Sequence, residues 1–425
     1  MTIVAPTRSR LPGTSYVVLL LLGISVFINY IDRGNLSIAA PTVKDELGLT
    51  TSQLGFLLSA FFWTYAALQP VSGWLVDRFD VNWVLALGFF LWSTATACTG
   101  LVRHFAALLA VRLVLGVGES VAVPAYGKII ARLFPEHQRG RANAVITAGL
   151  ACGPAFGMFF GSILIARFGW RSFFVALGLA SLLWLLPWLR WKPSFPRVAP
   201  QLLDSPSLLQ FARLRAAWGT CGGLFCSNYI SYFLITWMPF YLLRERHFSM
   251  SKMGVVAGAS YLAAALSAMA CGRLADRWIM SGATPTRVRK TFTAAGLACT
   301  AVFLIACVLS LPGLSIAMLI GVTMCWAACS ANLWAITQTV AGPLATGRWT
   351  GLQNCIGNLS GIVAPALTGL VLQRTGQFFW PFAIAAGVCL LGALCYGFVL
   401  GPVEQVTWGP PPSLRREPVL SRAGS

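Results

Sequence analysis

Apolar residues dominate this chain in long blocks divided by short polar stretches. A helix that crosses a bilayer needs about 20 such residues. Twelve blocks meet that length, at roughly 15–39, 53–75, 83–102, 106–132, 142–166, 171–191, 217–243, 253–275, 291–311, 313–340, 350–373 and 379–400. A polar, basic stretch at 192–216 divides them six and six. The other connections are short and leave no room for a soluble domain. The pattern predicts an all-α membrane protein of twelve transmembrane helices. Residues 1–191 form one six-helix bundle, 192–216 a linker, and 217–425 a second bundle with a short tail.

The two halves repeat. Gly73-x-x-x-Asp77-Arg78-Phe79 closes the second block, and Gly272-x-x-x-Asp276-Arg277-Trp278 closes the eighth. Arg167 and Gly169 precede block six as Arg374 and Gly376 precede block twelve. Gly149 and Pro154 in block five are echoed by Gly357 and Pro365 in block eleven. Pseudo-symmetric bundles of this kind hold a substrate site between them near the bilayer midplane.

Composition supports the membrane reading. The chain is 57% hydrophobic and only 10% charged, where soluble domains carry about 25% charge. Its net charge of +19 invites a nucleic-acid partner, but the placement of the charges excludes one. Of 31 Lys and Arg, 21 fall at the termini and in even-to-odd loops, eight in the opposite loops and two inside blocks. This bias puts both termini and the 192–216 stretch on the cytoplasmic side of a bacterial inner membrane. A cleaved signal peptide is not expected, because the first apolar run is too long and charge interrupts its end.

The 12 cysteines lie largely inside apolar blocks, with no CxxC pair and no histidine at ligand spacing. They read as small core residues, with no disulfides and no metal. No nucleophile–base set appears, so neither an enzyme nor a cofactor is expected.

The chemistry lies in charges at membrane depth. Of 12 acids, only Asp32 and Glu119 fall inside blocks, and Arg33 and Arg112 are the cations that lie deepest inside them. Such groups cost several kcal/mol unless paired or facing a wet cavity, so they are functional by default. Arg112 and Glu119 are seven residues apart and project from one face of their helix. Asp32 and Arg33 are adjacent, about 100° apart around theirs. An arginine grips a carboxylate with two parallel bonds and keeps its charge. A buried carboxylate can titrate near neutral pH. Two cations and two acids therefore suit an organic anion plus a proton. The bland alternative is that both pairs only neutralise each other, but a buried pair is a poor route to stability. Tyr65, Gln69, Asn228, Tyr229, Tyr232, Asn332, Trp334, Gln338, Asn354 and Asn358 could complete the site or act as helix-packing glue.

With these motifs in hand, the chain resembles the major facilitator superfamily. Gly73, Asp77 and Arg78, with their copies Asp276 and Arg277, match its conformational latch between helix ends. Asp80, Val81 and Asn82 stand where the family pattern continues with glycine and a basic residue. Within the superfamily the chain is similar to the anion:cation symporters, which include sugar-acid and aromatic-acid permeases. That resemblance rests on Asn29-Tyr30-Ile31-Asp32-Arg33, Arg112 through Glu119, Phe134-Pro135 with Arg139, Gly149 through Gly157, Gly169-Trp170-Arg171, and Asn354 through Asn358. It implies Tyr65, Trp334 and Asn354 as further substrate ligands. Ser231 stands where some relatives place an arginine.

The expected function is proton-coupled uptake of a small organic monocarboxylate by alternating access, in a protein that works as a monomer in the lipid bilayer. Arg33 and Arg112 would hold the carboxylate, and Asp32 and Glu119 would carry protons. Protonation of Glu119 would release Arg112 for substrate. A proton-driven exporter of drugs or metabolites is the rival reading; paired arginines favour anions.

Overall fold

A computed structural model describes residues 13–134, 136–193 and 208–406. Four long helices come first: α1 (Gly13–Glu46), α2 (Thr51–Arg78), α3 (Val81–Thr99) and α4. α4 comprises Phe105–Ser120 and Ala122–Leu133, which meet at Val121. α5 and α6 share the tract Glu136–Leu182, and Leu185–Trp191 extends α6. After the short helix Leu208–Ala212 come α7 (Arg215–Arg244), α8 (Met250–Met280) and α9 (Pro285–Leu309). α10 and α11 share Pro312–Thr375, and α12 (Phe379–Leu394) runs into a π-helical turn, Cys395–Val399. Residues 1–12, 194–207 and 407–425, which include most of the expected linker and tail, lie outside the described residues, as does the Asp77 side chain.

Among the described residues, ten stretches are long and apolar enough to cross a membrane. One of them, Val145–Trp191, holds both α5 and α6, and α7 adds a further crossing. The twelve helices expected from the apolar blocks are therefore present. Two of the connections shrink to one glycine each. Gly169 (φ 77) turns α5 into α6, and Gly342 (φ 64) turns α10 into α11. A side chain at either φ would be strained, which is why glycine stands there. Asp80, outside the family pattern, caps α3: its carboxylate accepts from the Asn82 amide at 2.9 Å.

α1 packs on the α5–α6 tract, α2 on α4, and α3 on both α4 and α6. In the second half α7, α8 and α9 pack on the α10–α11 tract, and α12 packs on α7 and α9. Three seams join the halves: α2 with α11, α5 with α8, and α1 with α7. Each seam is tight at the face that carries the α1–α2 loop. A Cβ at Gly369 would sit 2.8 Å from the Thr51 carbonyl oxygen and 2.9 Å from Gly55 Cα. A Cβ at Gly254 of α8 would meet Ser162 of α5. The Ser52 amide donates to Gln373 at 2.8 Å, and Arg244 of α7 forms an ion pair with Asp45 of α1.

At the opposite face, where α2 turns into α3, a Cβ at Gly73, Gly272 or Gly351 would meet nothing within 4 Å. Arg78, Asp276 and Arg277, expected as a latch, are exposed there. The close contacts between the halves described here lie at the α1–α2 face, and these glycines of the opposite face are unpacked. Gly369→Ala is expected to disfavour this state, because backbone cannot yield to the methyl group. Overpacking of this kind costs about 1–3 kcal/mol. Thiol labelling of a cysteine at Ser52, in an otherwise cysteine-free chain, should speed up severalfold in the Gly369→Ala background. An unchanged labelling rate would show that the seam does not set the balance.

Candidate functional site

The four intramembrane charges converge where α1 and α4 face each other. Arg33 Nε donates to Glu119 Oε2 at 3.0 Å, and both side chains are buried. This corrects the pairing expected from sequence, which joined Glu119 to Arg112. Seven residues along a helix is about 10 Å of rise, so a partner on the adjoining helix lies closer. Arg112 makes no ion pair among the described residues, and its buried Nε has no hydrogen-bond partner. It lies within electrostatic reach of both Asp32 and Glu119.

Asp32 and Arg33 diverge as their helical spacing requires. Arg33 turns toward the interior between the halves. Its guanidinium lies 4.6 Å from the Tyr65 ring centre, 4.7 Å from Tyr30 and 5.3 Å from Phe61. A desolvated cation–π contact is worth about 2 kcal/mol, so this clasp offsets part of the cost of burying the cation. Asp32 turns into the first bundle. Its Oδ1 accepts from Asn35 Nδ2 at 3.4 Å, while Oδ2 is buried without a partner.

Glycines let α1 seat this closely. A Cβ at Gly153 of α5 would lie 2.7 Å from Tyr30 Cβ, and one at Gly149 2.8 Å from the Gly23 carbonyl oxygen. On α4, a Cβ at Gly116 would strike the Phe61 carbonyl oxygen at 2.3 Å. The glycines expected for close packing thus fix where Tyr30 and Phe61 meet Arg33.

The second half contributes a polar wall. Tyr232 Oη donates to Asn358 Oδ1 at 2.5 Å, and Asn358 Nδ2 donates to the Asn354 carbonyl at 2.8 Å. The Tyr232 ring packs on Phe62 of α2, with centres 4.3 Å apart. Tyr232 also lies within electrostatic reach of Arg33. Tyr65 therefore joins Arg33 directly, and Asn354 joins the wall through its backbone. Trp334 is 39% exposed, and among the described residues no hydrogen bond or ring contact ties it to the charged groups. Phe61 and Phe62 were not legible as site residues: in a sequence where 57% of positions are hydrophobic, nothing separates an aromatic site wall from core. Gln353, fully buried, bonds to Thr337 and Thr220 and ties α11 to α10 and α7.

The ion pair needs Glu119 as a carboxylate; a neutral acid there would leave the Arg33 cation free for another anion. Buried atoms on Arg33 (Nη2), Glu119 (Oε1), Arg112 (Nε) and Asn29 (Nδ2) have no partner. Buried polar groups are normally bonded, so these atoms are open to a ligand or to water.

The Major Facilitator Superfamily model matches residues 22–365. The chain is 30% identical over 404 residues to a probable sulfoacetate transporter of Cupriavidus necator, covering 91% of this chain and 94% of that one. It is 28% identical over 414 residues to a probable L-galactonate transporter of Escherichia coli, covering 92% and 90%. A bacterial homologue of the human lysosomal transporter Spinster, solved in an inward-facing and unoccupied conformation, shares the fold with a TM-score of 0.75 at 20% identity. The likeness covers 92% of this chain and 95% of that one.

Proposed function

Because this chain belongs to the Major Facilitator Superfamily and is a multi-pass membrane transporter, we propose that it takes up a small organic monocarboxylate together with protons. The observation that carries this reading is the buried Arg33–Glu119 ion pair at 3.0 Å, beside an unpaired Arg112. A substrate carboxylate and the Glu119 carboxylate compete for Arg33. Protonation of Glu119 removes the competitor, so proton and anion bind together. Arg112 then supplies the second cation, and Asp32, facing Arg112, is a second proton site. The body of the acid lies toward Tyr65, Asn354 and Trp334, with Tyr232 and Asn358 completing the wall. The names of the relatives, sulfoacetate and L-galactonate transporters, agree with an anionic substrate.

In this reading the two six-helix bundles, 1–191 and 217–425, rock about the site, with 192–216 as the link. Gly73, Asp77, Arg78, Asp276 and Arg277 close the α2–α3 face when the α1–α2 face opens. The membrane is a bacterial inner membrane, and the open face and both termini are cytoplasmic, since 21 of 31 cations lie on that side. The protein acts as a monomer.

Uptake into proteoliposomes is the direct test. A thermal-shift screen at acidic pH across sugar acids, aromatic acids and short hydroxy acids first finds the ligand. The ligand should then accumulate when the outside is made acidic. Efflux driven by an inward proton gradient, with no accumulation, would instead establish the exporter. A cysteine placed at 200 or 410 in an otherwise cysteine-free chain should resist labelling by an impermeant reagent on intact cells. Labelling at either position would reverse the orientation.

A further inference from the structure

We infer that Asp45 of α1 and Arg244 of α7 form the charge pair that holds the α1–α2 face shut, and that Glu46, Trp170 and Arg171 are the positioning residues that present Asp45 to it. The pair acts through the proposed rocking of the two bundles, on which this inference rests, and not through the substrate or the proton sites.

Asp45 and Glu46 stand in the last turn of α1, where the helix dipole disfavours acids, so they do not serve the helix itself. Adjacent residues point about 100° apart, and the two acids part accordingly. Glu46 turns into its own half. Its Oε2 accepts from Trp170 Nε1 at 2.6 Å, and its Oε1 accepts from Arg171 Nε at 2.9 Å. Trp170 is buried, and the Arg171 guanidinium lies 4.3 Å from the centre of its ring. Arg171 also donates to the carbonyls of Gly100 and Val102 in the α3–α4 loop. The turn at Gly169 brings Trp170 and Arg171 to this place. The end of α1, the α3–α4 loop and the α5–α6 turn are thus tied together through Glu46 and Arg171, wholly within the first half.

Asp45 turns the other way, to Arg244 at the end of α7. Among the described residues this is the one ion pair that joins the halves. Arg246, the next cation along the chain, is spent on Tyr241 Oη and the Cys307 carbonyl, so it does not substitute for Arg244. Both partners are half-exposed, and such a pair shifts an equilibrium by only about twofold to fivefold. That suffices here. The pair exists only while this face is shut, so its whole strength enters the balance between the two facing states. A far stronger bond would trap the transporter in one of them. Anchoring the end of α1 through Glu46 spares the pair the cost of ordering that segment at each closure.

The measurement is the labelling rate of Ser52→Cys by a neutral thiol reagent, in the purified, otherwise cysteine-free protein. Asp45→Arg and Arg244→Asp each set like charges against one another, so each should raise the rate severalfold. The two variants change the local charge in opposite senses. A direct effect of charge on the thiol would therefore split them, whereas opening of the face moves both alike. The swap Asp45→Arg with Arg244→Asp rebuilds the pair with its signs exchanged and should return the rate to within about twofold of the parent's. Parental rates in both single variants, rates that move in opposite directions, or a swap that restores nothing overturn the pair. If a reversed variant does not fold, Asp45→Asn and Arg244→Gln, which remove attraction without adding repulsion, must each raise the rate about twofold to fivefold; parental rates there are the overturning result. Glu46→Gln tests the anchor. It should raise the rate with Asp45 and Arg244 intact, and adding Asp45→Asn to it should then raise the rate less than Asp45→Asn does alone. Additive effects remove Glu46 from the inference. Gly369→Ala separates the inference from its foundation. Faster labelling in Gly369→Ala with parental rates in the charge variants removes only the pair. A rate unchanged in every variant removes the rocking and the pair together.

Discussion

Glu119→Gln is expected to carry substrate across the membrane in exchange but not to accumulate it. The ion pair with Arg33 at 3.0 Å is the reason. Gln has the shape of the protonated acid and no charge, so Arg33 is free to bind the anion at any pH. Binding therefore persists and loses most of its dependence on pH. Uphill flux fails because it requires a group whose proton affinity differs between the two facing states, and Gln has no proton to trade. One pH unit is worth about 1.4 kcal/mol per coupled proton, or tenfold accumulation. The parent should reach that ratio with one coupled proton under a one-unit gradient, and Glu119→Gln should stay near unity. Counterflow with no gradient should proceed at a rate comparable to the parent's. Accumulation by the variant at the parental ratio would rule out Glu119 as the coupling group.

Arg33→Lys is expected to lose about a hundredfold in substrate affinity, and Arg112→Lys about tenfold. An ammonium is a point charge and cannot form two parallel bonds to a carboxylate. A hydrogen bond to a charged group contributes about 1.5–3 kcal/mol, and each 1.4 kcal/mol is tenfold. Arg33 should matter more because its planar group is also held among Tyr30, Phe61 and Tyr65, at 4.6–5.3 Å. Lys would lie loosely among those rings and leave Glu119 poorly bonded in the core. Among the described residues Arg112 has only the Phe61 ring, at 5.6 Å, and more freedom to adjust. Calorimetric titration of purified variants with the acid found in the screen decides it. Parental affinity in both variants would make the arginines helix-orienting groups and dismiss them as ligands.

Much of this was legible along the chain. Twelve apolar blocks fixed twelve crossings, because a bilayer leaves a helix as the only way to bond the backbone of a short segment. The repeat of Gly73, Asp77 and Arg78 at Gly272, Asp276 and Arg277 marked the halves. Four charges stood out because charge inside an apolar block is rare and costly. Helical spacing also predicted that Asp32 and Arg33 would point apart, and they do.

Spacing could not choose partners. Arg112 and Glu119 share a helix face, yet seven residues of rise hold them apart. The neighbouring α1 brings the long side chain of Arg33 to Glu119, and only the packing of α1 against its neighbours could say so. The aromatic clasp on Arg33 was hidden among 27 phenylalanines and 9 tyrosines. Which face is shut is also absent from the sequence, because the glycine seams needed at either face are written into the same helices. The sequence by itself determined the crossings, the repeat and the charges buried in them. The tertiary structure decided which charges touch, which rings hold them, and that the Gly55–Gly369 face is the one now closed, because contacts between helices depend on close packing that no single helix records.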